Sequence, residues 1–364
     1  MKESRAMRIN PGVHVLEVSP GARQLGIGAG SLLLRNLQDT DLAFLAALRH
    51  GVPDGTETAA AEALSLPPER TASLLEVLGP LLVRQEPAAP PVPSLRAERL
   101  LPDAQRLSLA YRSNGEDTVR RRAAATVLVD GLGRTGALLA RTLASAGTGT
   151  LLLADPGAVS PADVGTAYAV TDIGMNRAAA VKRHVFRIDP TLQVLVVSGA
   201  TGRPGNTSVD LAVSVRTLGS GRGEGRPADV AGGIPHLVLT AQEDGWDVGP
   251  LVVPGATPCL ECLDRHRADT DPGWYAAVDA LSRLAGSGAG PEGLVPGGEE
   301  SAGAALAAGA AAAAALVFLD GVNRPALYSA VLRLRAADGY PRLQKLDYHP
   351  ACGCRLQHRV HKVA

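Results

Sequence analysis

The hydrophobic pattern changes character along the chain. Short extended runs come first, at Val13 to Val18 and Arg23 to Ile27 around the turn Ser19-Pro20-Gly21-Ala22, with a third at Leu32 to Asn36. Helical spacing follows: Asp39 or Thr40 caps a segment carrying Leu42, Leu45 and Leu48 on one face, and Gly51 stops it. Thr58 to Leu64 and Glu69 to Val83 predict two more helices, Pro67 and Pro68 marking the start of the last. Three strands and then three helices predict a small winged-helix-like α+β module over residues 1–86. Four prolines between Pro87 and Pro93 make 87–94 an extended spacer.

Beyond the spacer, strand and helix alternate. Strands are predicted at Ala125–Val129, Thr150–Ala154, Gln193–Ser198 and Leu211–Val215, with helices at Thr135–Ala146 and Asn176–Ile188. That order predicts an α/β domain over 95–364: a Rossmann-like, mostly parallel sheet with helices on both faces. Ser282 to Glu300 is glycine-rich and predicts a mobile loop. The apolar run from Ala304 to Leu319 is mostly alanine and shorter than the roughly 20 apolar residues of a membrane span, which predicts a buried helix.

Composition narrows the function. Apolar residues make up 46% of 364, enough for a sizeable core, whereas aromatics are only 3% and offer no stacking platform for nucleic acid. Lys+Arg and Asp+Glu both number 36, so the basic excess of a nucleic-acid binder is missing. The one basic run, Arg120-Arg121-Arg122, reads as a solvated face before the first strand. No secretory signal is visible at the N-terminus, and four cysteines in such a chain point to a reducing, cytoplasmic setting with metal or free thiols.

Two groups of residues carry candidate chemistry. Val127 to Gly136 runs a strand into Gly131-x-Gly133-x-x-Gly136, whose glycines allow a tight turn, a close phosphate and helix packing. Asp155 ends the next strand, where a ribose-binding carboxylate belongs. The bland alternative is that these glycines serve packing alone; a hydride-transfer site finds no support downstream. Cys259-x-x-Cys262 and Cys352-x-Cys354 are two close pairs whose thiolates predict a tetrahedral structural zinc knot, with buried or free thiols as the alternative. His349 is a possible substitute ligand, and His266 reads as a surface residue.

From about residue 95 onward the sequence resembles the ThiF/MoeB-like, ubiquitin-activating superfamily. The resemblance rests on Gly131 to Gly136, Asp155 with Val159, Asp172-Ile173-Gly174, Asp189-Pro190, Pro235, and Val253-Pro254-Gly255 leading into Thr257-Pro258-Cys259-Leu260-Glu261-Cys262. It implies a nucleotide cleft formed by Gly131, Gly133, Gly136, Asp155 and Arg177, and ATP- and magnesium-dependent adenylation of a carboxyl terminus. The departures argue against that chemistry. Gly157 stands where a second acid is usual, Thr166-Ala167 where an Arg-Gln pair is usual, and Arg177 where a lysine is usual. Val215-Arg216-Thr217-Leu218 supplies no magnesium-binding aspartate. Losing such charges removes what stabilises phosphoryl-type transition states, which leaves the cleft vestigial and puts ATP and magnesium in doubt.

With Asp264-Arg265-His266-Arg267 and Asp271-Pro272-Gly273-Trp274, the order of elements resembles ThiF-like partner proteins of azole-forming pathways for ribosomally made peptides. The resemblance implies a PqqD-like N-terminal module that binds the leader of a precursor peptide as an added strand. Delivery to a YcaO-type cyclodehydratase and homodimerisation follow from it too. The groove would use the edge run with Leu33, Leu34 and Arg35 and a helix carrying Leu75 and Leu78. The alternatives are a dimerisation or docking domain, a DNA-binding winged helix without clustered positive charge, and a working adenylyltransferase.

Overall fold

The computed structural model describes residues 5–85, 94–197, 208–219, 233–287 and 298–355. The proline-rich spacer lies almost wholly outside these residues, as does the middle of the glycine-rich stretch. The chain divides into two compact units, Met1–Arg121 and Arg122–Ala364.

The first unit holds two small antiparallel sheets. One places β1 (Ala6–Ile9) between β5 (Val52–Pro53) and β6 (Leu82–Gln85); the other has the order β2 (Val15–Ser19), β3 (Ala22–Leu25), β4 (Leu32–Leu34). Helices α1 (Asp39–His50), α2 (Glu57–Ala63) and α3 (Pro68–Leu78) follow. Asp41 explains how α1 begins and where it docks. Its carboxylate accepts the Gln38 backbone N–H at 2.8 Å and pairs with Arg70 of α3 at 2.9 and 3.0 Å. Leu25, Phe44, Leu48 and Leu78 close the core.

Two expectations needed correction here. The helix expected to reach Val83 stops at Leu78, because Gly79-Pro80 cannot continue it, and Val83 instead pairs with Arg8 across β1 and β6. The unit also extends past residue 86. Helices α4 (Ser94–Arg99), α5 (Leu101–Tyr111) and α6 (Gly115–Ala124) follow the spacer, the last straddling the division. Polar pins explain why α5 stays with this unit. Asn10 Nδ2 donates to the Ser108 carbonyl at 2.7 Å, and Arg8 donates to Asn114 and Glu116 at 2.9 Å each.

The second unit is built on an eight-stranded sheet, in the order β14-β13-β12-β11-β10-β7-β8-β9. β7 (Thr126–Asp130), β8 (Thr150–Ala154), β9 (Gln193–Val196), β10 (Leu211–Thr217) and β11 (His236–Gln242) run parallel. β12 (Gly245–Val252), β13 (Ala330–Arg335) and β14 (Pro341–Lys345) extend the sheet antiparallel. The parallel strands read as solid apolar runs because both faces are covered: Val127, Val129, Leu151, Leu153, Leu211 and Val213 pack with α7, α8 and α11 on one face, and Leu128, Leu152 and Ala212 are buried on the other. Helices α7 (Arg134–Ser145) and α8 (Arg177–Ile188) are the crossovers, with the Asn176 side chain accepting from Ala179 N at 3.1 Å to cap α8.

Helices α9 (Leu260–Thr270), α10 (Trp274–Ser287) and α11 (Ser301–Asp320) complete the unit. Residues 282–287, expected in a loop, are the last turns of α10, and Glu299 is held against the start of α7 by the Thr135 N–H. By length and composition α11 could cross a membrane, being 20 residues long with an 18-residue stretch of mean hydropathy 2.1. Its alanines instead let it pack closely on α7 and β12, and Ala304, Ala308, Ala311 and Ala315 are buried. It ends in an ion pair: Asp320 meets Arg122 at 2.6 and 2.8 Å, both nearly inaccessible. Arg122 is therefore part of the core, not of a solvated basic face.

Candidate functional site

Strand order reverses between β7 and β10, and ligands of open α/β sheets bind outside the carboxyl ends of the strands at such a point. The Gly131–Gly136 turn lies there. Gly131 has φ +87°, and a Cβ on it would lie 2.2 Å from the Val215 carbonyl oxygen; a Cβ on Gly136 would lie 1.9 Å from the Gly131 oxygen. Both glycines are thus demanded by backbone packing whatever the cleft binds.

Gly133 has a different neighbour. A Cβ there would meet Glu299 Oε1 at 2.4 Å, and Glu299 Oε2 accepts the Thr135 backbone N–H at 2.6 Å. The carboxylate therefore sits on the first turn of α7, where the helix dipole and free amides would otherwise hold a phosphate. Arg134 fastens the segment by donating to the Glu299 carbonyl and Ser301 hydroxyl at 2.9 Å and to the Val164 carbonyl at 3.1 Å. Burial raises the Glu299 pKa, and the hydrogen bonds from Thr135 only partly offset it. Nothing in the glycine pattern signals this residue, which lies far along the chain.

The remaining cleft residues are occupied by one another. Asp155 accepts Leu132 N and Gly157 N, each at 2.7 Å, so both oxygens already close the turn. Arg177 lies 3.7 Å from Asp155 but grips Asp163 at 2.8 to 3.2 Å. Burial would lower the Arg177 pKa, but Asp163 outweighs it and holds the guanidinium above its usual range. Thr166 is exposed and Ala167 buried. Arg216, at the end of β10, is pulled down to about 10 by burial, with Asp130 opposing. A guanidinium thus stands near where a metal-binding carboxylate was sought. Asp172 is buried and holds His184 at 2.7 Å together with Arg183, so it braces α8 rather than facing a ligand. The described residues do not fit ATP with magnesium: the phosphate seat holds a carboxylate, Asp163 is taken up by Arg177, and Gly157 stands where a second acid would follow Asp155.

The four cysteines do converge. Sγ separations are 3.9 Å for Cys259–Cys262, 3.6 Å for Cys259–Cys352 and 3.5 Å for Cys262–Cys354. Four thiolates at about 2.3 Å from one ion stand about 3.8 Å apart, and a disulfide needs about 2.05 Å, so the set fits a tetrahedral metal such as zinc and not two bridges. Burial pushes Cys259 up to about 11 and Cys354 higher still, and a bound cation reverses that cost. His349 is not needed as a ligand. Its Nε2 pairs with Asp269 at 3.0 Å while its carbonyl accepts Cys352 N at 3.0 Å, so it braces the turn carrying Cys352. His266 stacks edge-on against it at 4.9 Å and hydrogen-bonds the Asp347 carbonyl at 3.0 Å.

In the first unit the named groove residues separate. Leu33 and Arg35 are exposed on or just after edge strand β4, and Leu75 is half-buried on α3. Leu34 and Leu78 are withdrawn into the core at 8% and 0% exposure, a correction to their expected place on a groove wall. Alternation along β4 sends Leu34 inward, and Leu78 lies on the helix face that packs Leu25 and Phe44.

Residues 106–213 match the ThiF family model. Over 176 residues the chain is 29% identical to the vegetative HesA protein of Trichormus variabilis, spanning 46% of this chain and 65% of HesA, slightly under two thirds of its length. HesA of a Nostoc species is 29% identical over 175 residues, 46% of this chain and 69% of HesA. Among solved structures, Escherichia coli MccB with ATP superposes with a TM-score of 0.63 at 17% identity over 96% of this chain and 99% of that one. The microcin C7 biosynthetic enzyme MccB in complex with N-formylated MccA gives 0.63 at 16% identity over the same shares. PaaA gives 0.59 at 19% identity, over 76% of this chain and 90% of its own. At such identities the likeness is one of fold.

Proposed function

We propose that this chain, whose residues 106–213 belong to the ThiF family, binds the leader of a ribosomally made precursor peptide. It presents that peptide to a modifying enzyme of the YcaO cyclodehydratase type without adenylating anything itself. One observation carries the reading. The Glu299 carboxylate lies on the Thr135 amide, at the helix start where a nucleotide phosphate would be held. A carboxylate in that seat repels phosphate and takes its hydrogen bond, and Arg177 is turned toward Asp163 instead of a ligand.

A peptide ligand is supported by the fold shared with MccB, one of whose structures holds N-formylated MccA. Physically, β4 is the outer strand of its sheet among the described residues and there offers unpaired backbone groups to an added strand. In this reading Leu33 and Arg35 meet alternate side chains of the leader, and Leu75 borders it. The thiol cluster holds a structural zinc that ties the turn at Cys352 and Cys354 to α9, a closed four-sulfur shell with no position for reacting water. The chain acts as a homodimer.

MccB with ATP keeps a second reading in play, an adenylyltransferase acting on a peptide carboxyl terminus. Two measurements on the full chain separate them. Fluorescence polarisation with a labelled leader from the neighbouring precursor gene is expected to show saturable binding that Leu33→Asp abolishes. Pyrophosphate exchange with ATP and the precursor is expected to stay at background. Peptide-dependent exchange would establish the second reading instead, and failure to bind the leader would remove the first.

A further inference from the structure

The first unit contains a second strand-accepting groove, on the opposite edge of the sheet from β4. A cleft of about 840 Å³ opens beside β2, walled on its far side by α5. Among the described residues β2 pairs only with β3, so its other edge is free. The His14 carbonyl accepts Gly26 N at 2.8 Å, and alternation along an antiparallel pair then turns the backbone groups of Val15 and Glu17 outward, to that edge. The far wall is fixed. Asn10 hydrogen-bonds the Ser108 carbonyl, and a Cβ on Gly12 would lie 2.3 Å from the Gln105 carbonyl oxygen, so the turn before β2 is seated directly on α5.

The chemistry of the lining is one-sided. Among the described residues, His14, Arg49 and Arg106 line the cleft and no acid does. Arg49 and Arg106 make no ion pair among the described residues, and both are exposed. The same cleft is lined by solvent-exposed aliphatic side chains: Leu16 at 39%, Ile27 at 74% and Leu109 at 49% exposure. Unpaired cations beside a free strand edge and exposed aliphatic side chains complement one kind of occupant. A phosphate ion would not use the aliphatic groups, and an apolar helix would leave the cations and the strand edge unmatched.

We infer that this cleft binds an extended acidic segment of a partner polypeptide, which adds antiparallel or parallel to β2 and alternates carboxylates with aliphatic side chains. Outward amides at Val15 and Glu17 supply backbone pairing, Arg49 and Arg106 meet the carboxylates, and Leu16, Ile27 and Leu109 take the intervening side chains. This site stands apart from leader binding at β4, and either can fail alone.

The test uses the full chain and a fluorescein-labelled peptide of about ten residues alternating Glu and Val, with a Lys/Val peptide as control. Saturable binding of the acidic peptide is expected, falling steeply as salt rises because the contacts are exposed. The double variant R49E/R106E should weaken it at least about tenfold and R49K/R106K by less, while Arg35→Glu at β4 leaves it unchanged. Unaltered thermal melting of these surface variants excludes misfolding as the cause. Hydrogen exchange should slow at Val15 and Glu17 when peptide is present. Equal binding of the lysine peptide, less than about twofold loss in R49E/R106E, or protection at β4 instead of β2 would each overturn the inference. So would no binding at all, or a dimer of the chain that R49E/R106E dissolves.

Discussion

Removing the Glu299 side chain tests whether an internal carboxylate is what closes the phosphate seat. Glu299→Ala deletes a charged acceptor from the first turn of α7 and leaves the Thr135 amide without its 2.6 Å partner. A cap of this kind contributes about 0.5 to 2 kcal/mol, and the helix dipole adds a few tenths to about 1 kcal/mol. Burial works the other way, because the Glu299 pKa is raised and its ionised form is disfavoured in the fold. The net loss should be about 1 to 2 kcal/mol, which for a unit of this size lowers its melting temperature by roughly 2 to 8 °C. The opened amides then become an anion site. Pyrophosphate should restore stability to Glu299→Ala, by about 1.4 kcal/mol at tenfold excess over its dissociation constant, and leave the parent chain unmoved. Differential scanning calorimetry with and without pyrophosphate reads both effects. Equal shifts in the two proteins, or none in either, would refute the reasoning. Glu299→Gln keeps an acceptor and loses the charge. Since a raised acid pKa favours the fold at low pH and loses that benefit as pH rises through it, this variant should gain on the parent as pH increases.

Other consequences follow from the same contacts. Asp320→Ala removes the carboxylate of this buried pair, leaving the Arg122 charge less well compensated, and should cost about 3 to 5 kcal/mol in chemical denaturation, whereas an exposed pair such as Arg335–Asp338 should cost little when broken. Cys259→Ser should drop bound zinc well below one equivalent by elemental analysis and expose the chain around Cys352 to protease, because metal binding and local folding are coupled. Asp163 and Asp172 both have depressed pKa values: burial opposes ionisation, but Arg177 with Ser160, and His184 with Ala169, outweigh it. Their contribution is present above the ordinary aspartate value of 3.8 and is lost as pH falls through the lower folded values. Stability should therefore decline below about pH 4, and Asp172→Asn should flatten that decline while lowering stability at neutral pH. Gly136→Ala should destabilise the second unit strongly, since the added methyl meets the Gly131 carbonyl oxygen at 1.9 Å whether or not any nucleotide binds.

The parallel core was legible because its signals are local. Strands β7 and β8 are continuous apolar runs bounded by turn residues, α7 and α8 carry helical spacing, and Gly131 must take φ +87° where β7 turns into α7. Short or composite elements were not. β1 and β5 have only four and two residues and exist because neighbouring strands pair with them, which no local pattern announces. Helix α11 illustrates the intermediate case: its composition marks a helix, yet its packing on α7 and β12 through Ala308, Ala311 and Ala315, and the pairing of its last residue Asp320 with Arg122, 198 positions away, belong to the tertiary structure.

By itself, then, the sequence determined what each segment can be: a strand feeding a glycine turn, a helix that starts at Asn176, thiols spaced to share one ion. Those properties depend on neighbouring residues and on steric rules that act within a few positions. Only the tertiary structure decided what the candidate groups are doing. It set Glu299 on the α7 amides, turned Arg177 to Asp163, brought Cys352 and Cys354 to Cys259 and Cys262, and buried Leu34 and Leu78 where a groove wall was expected. These are meetings between distant segments, and their energies come from desolvation and charge pairing that exist only once the chain has closed on itself.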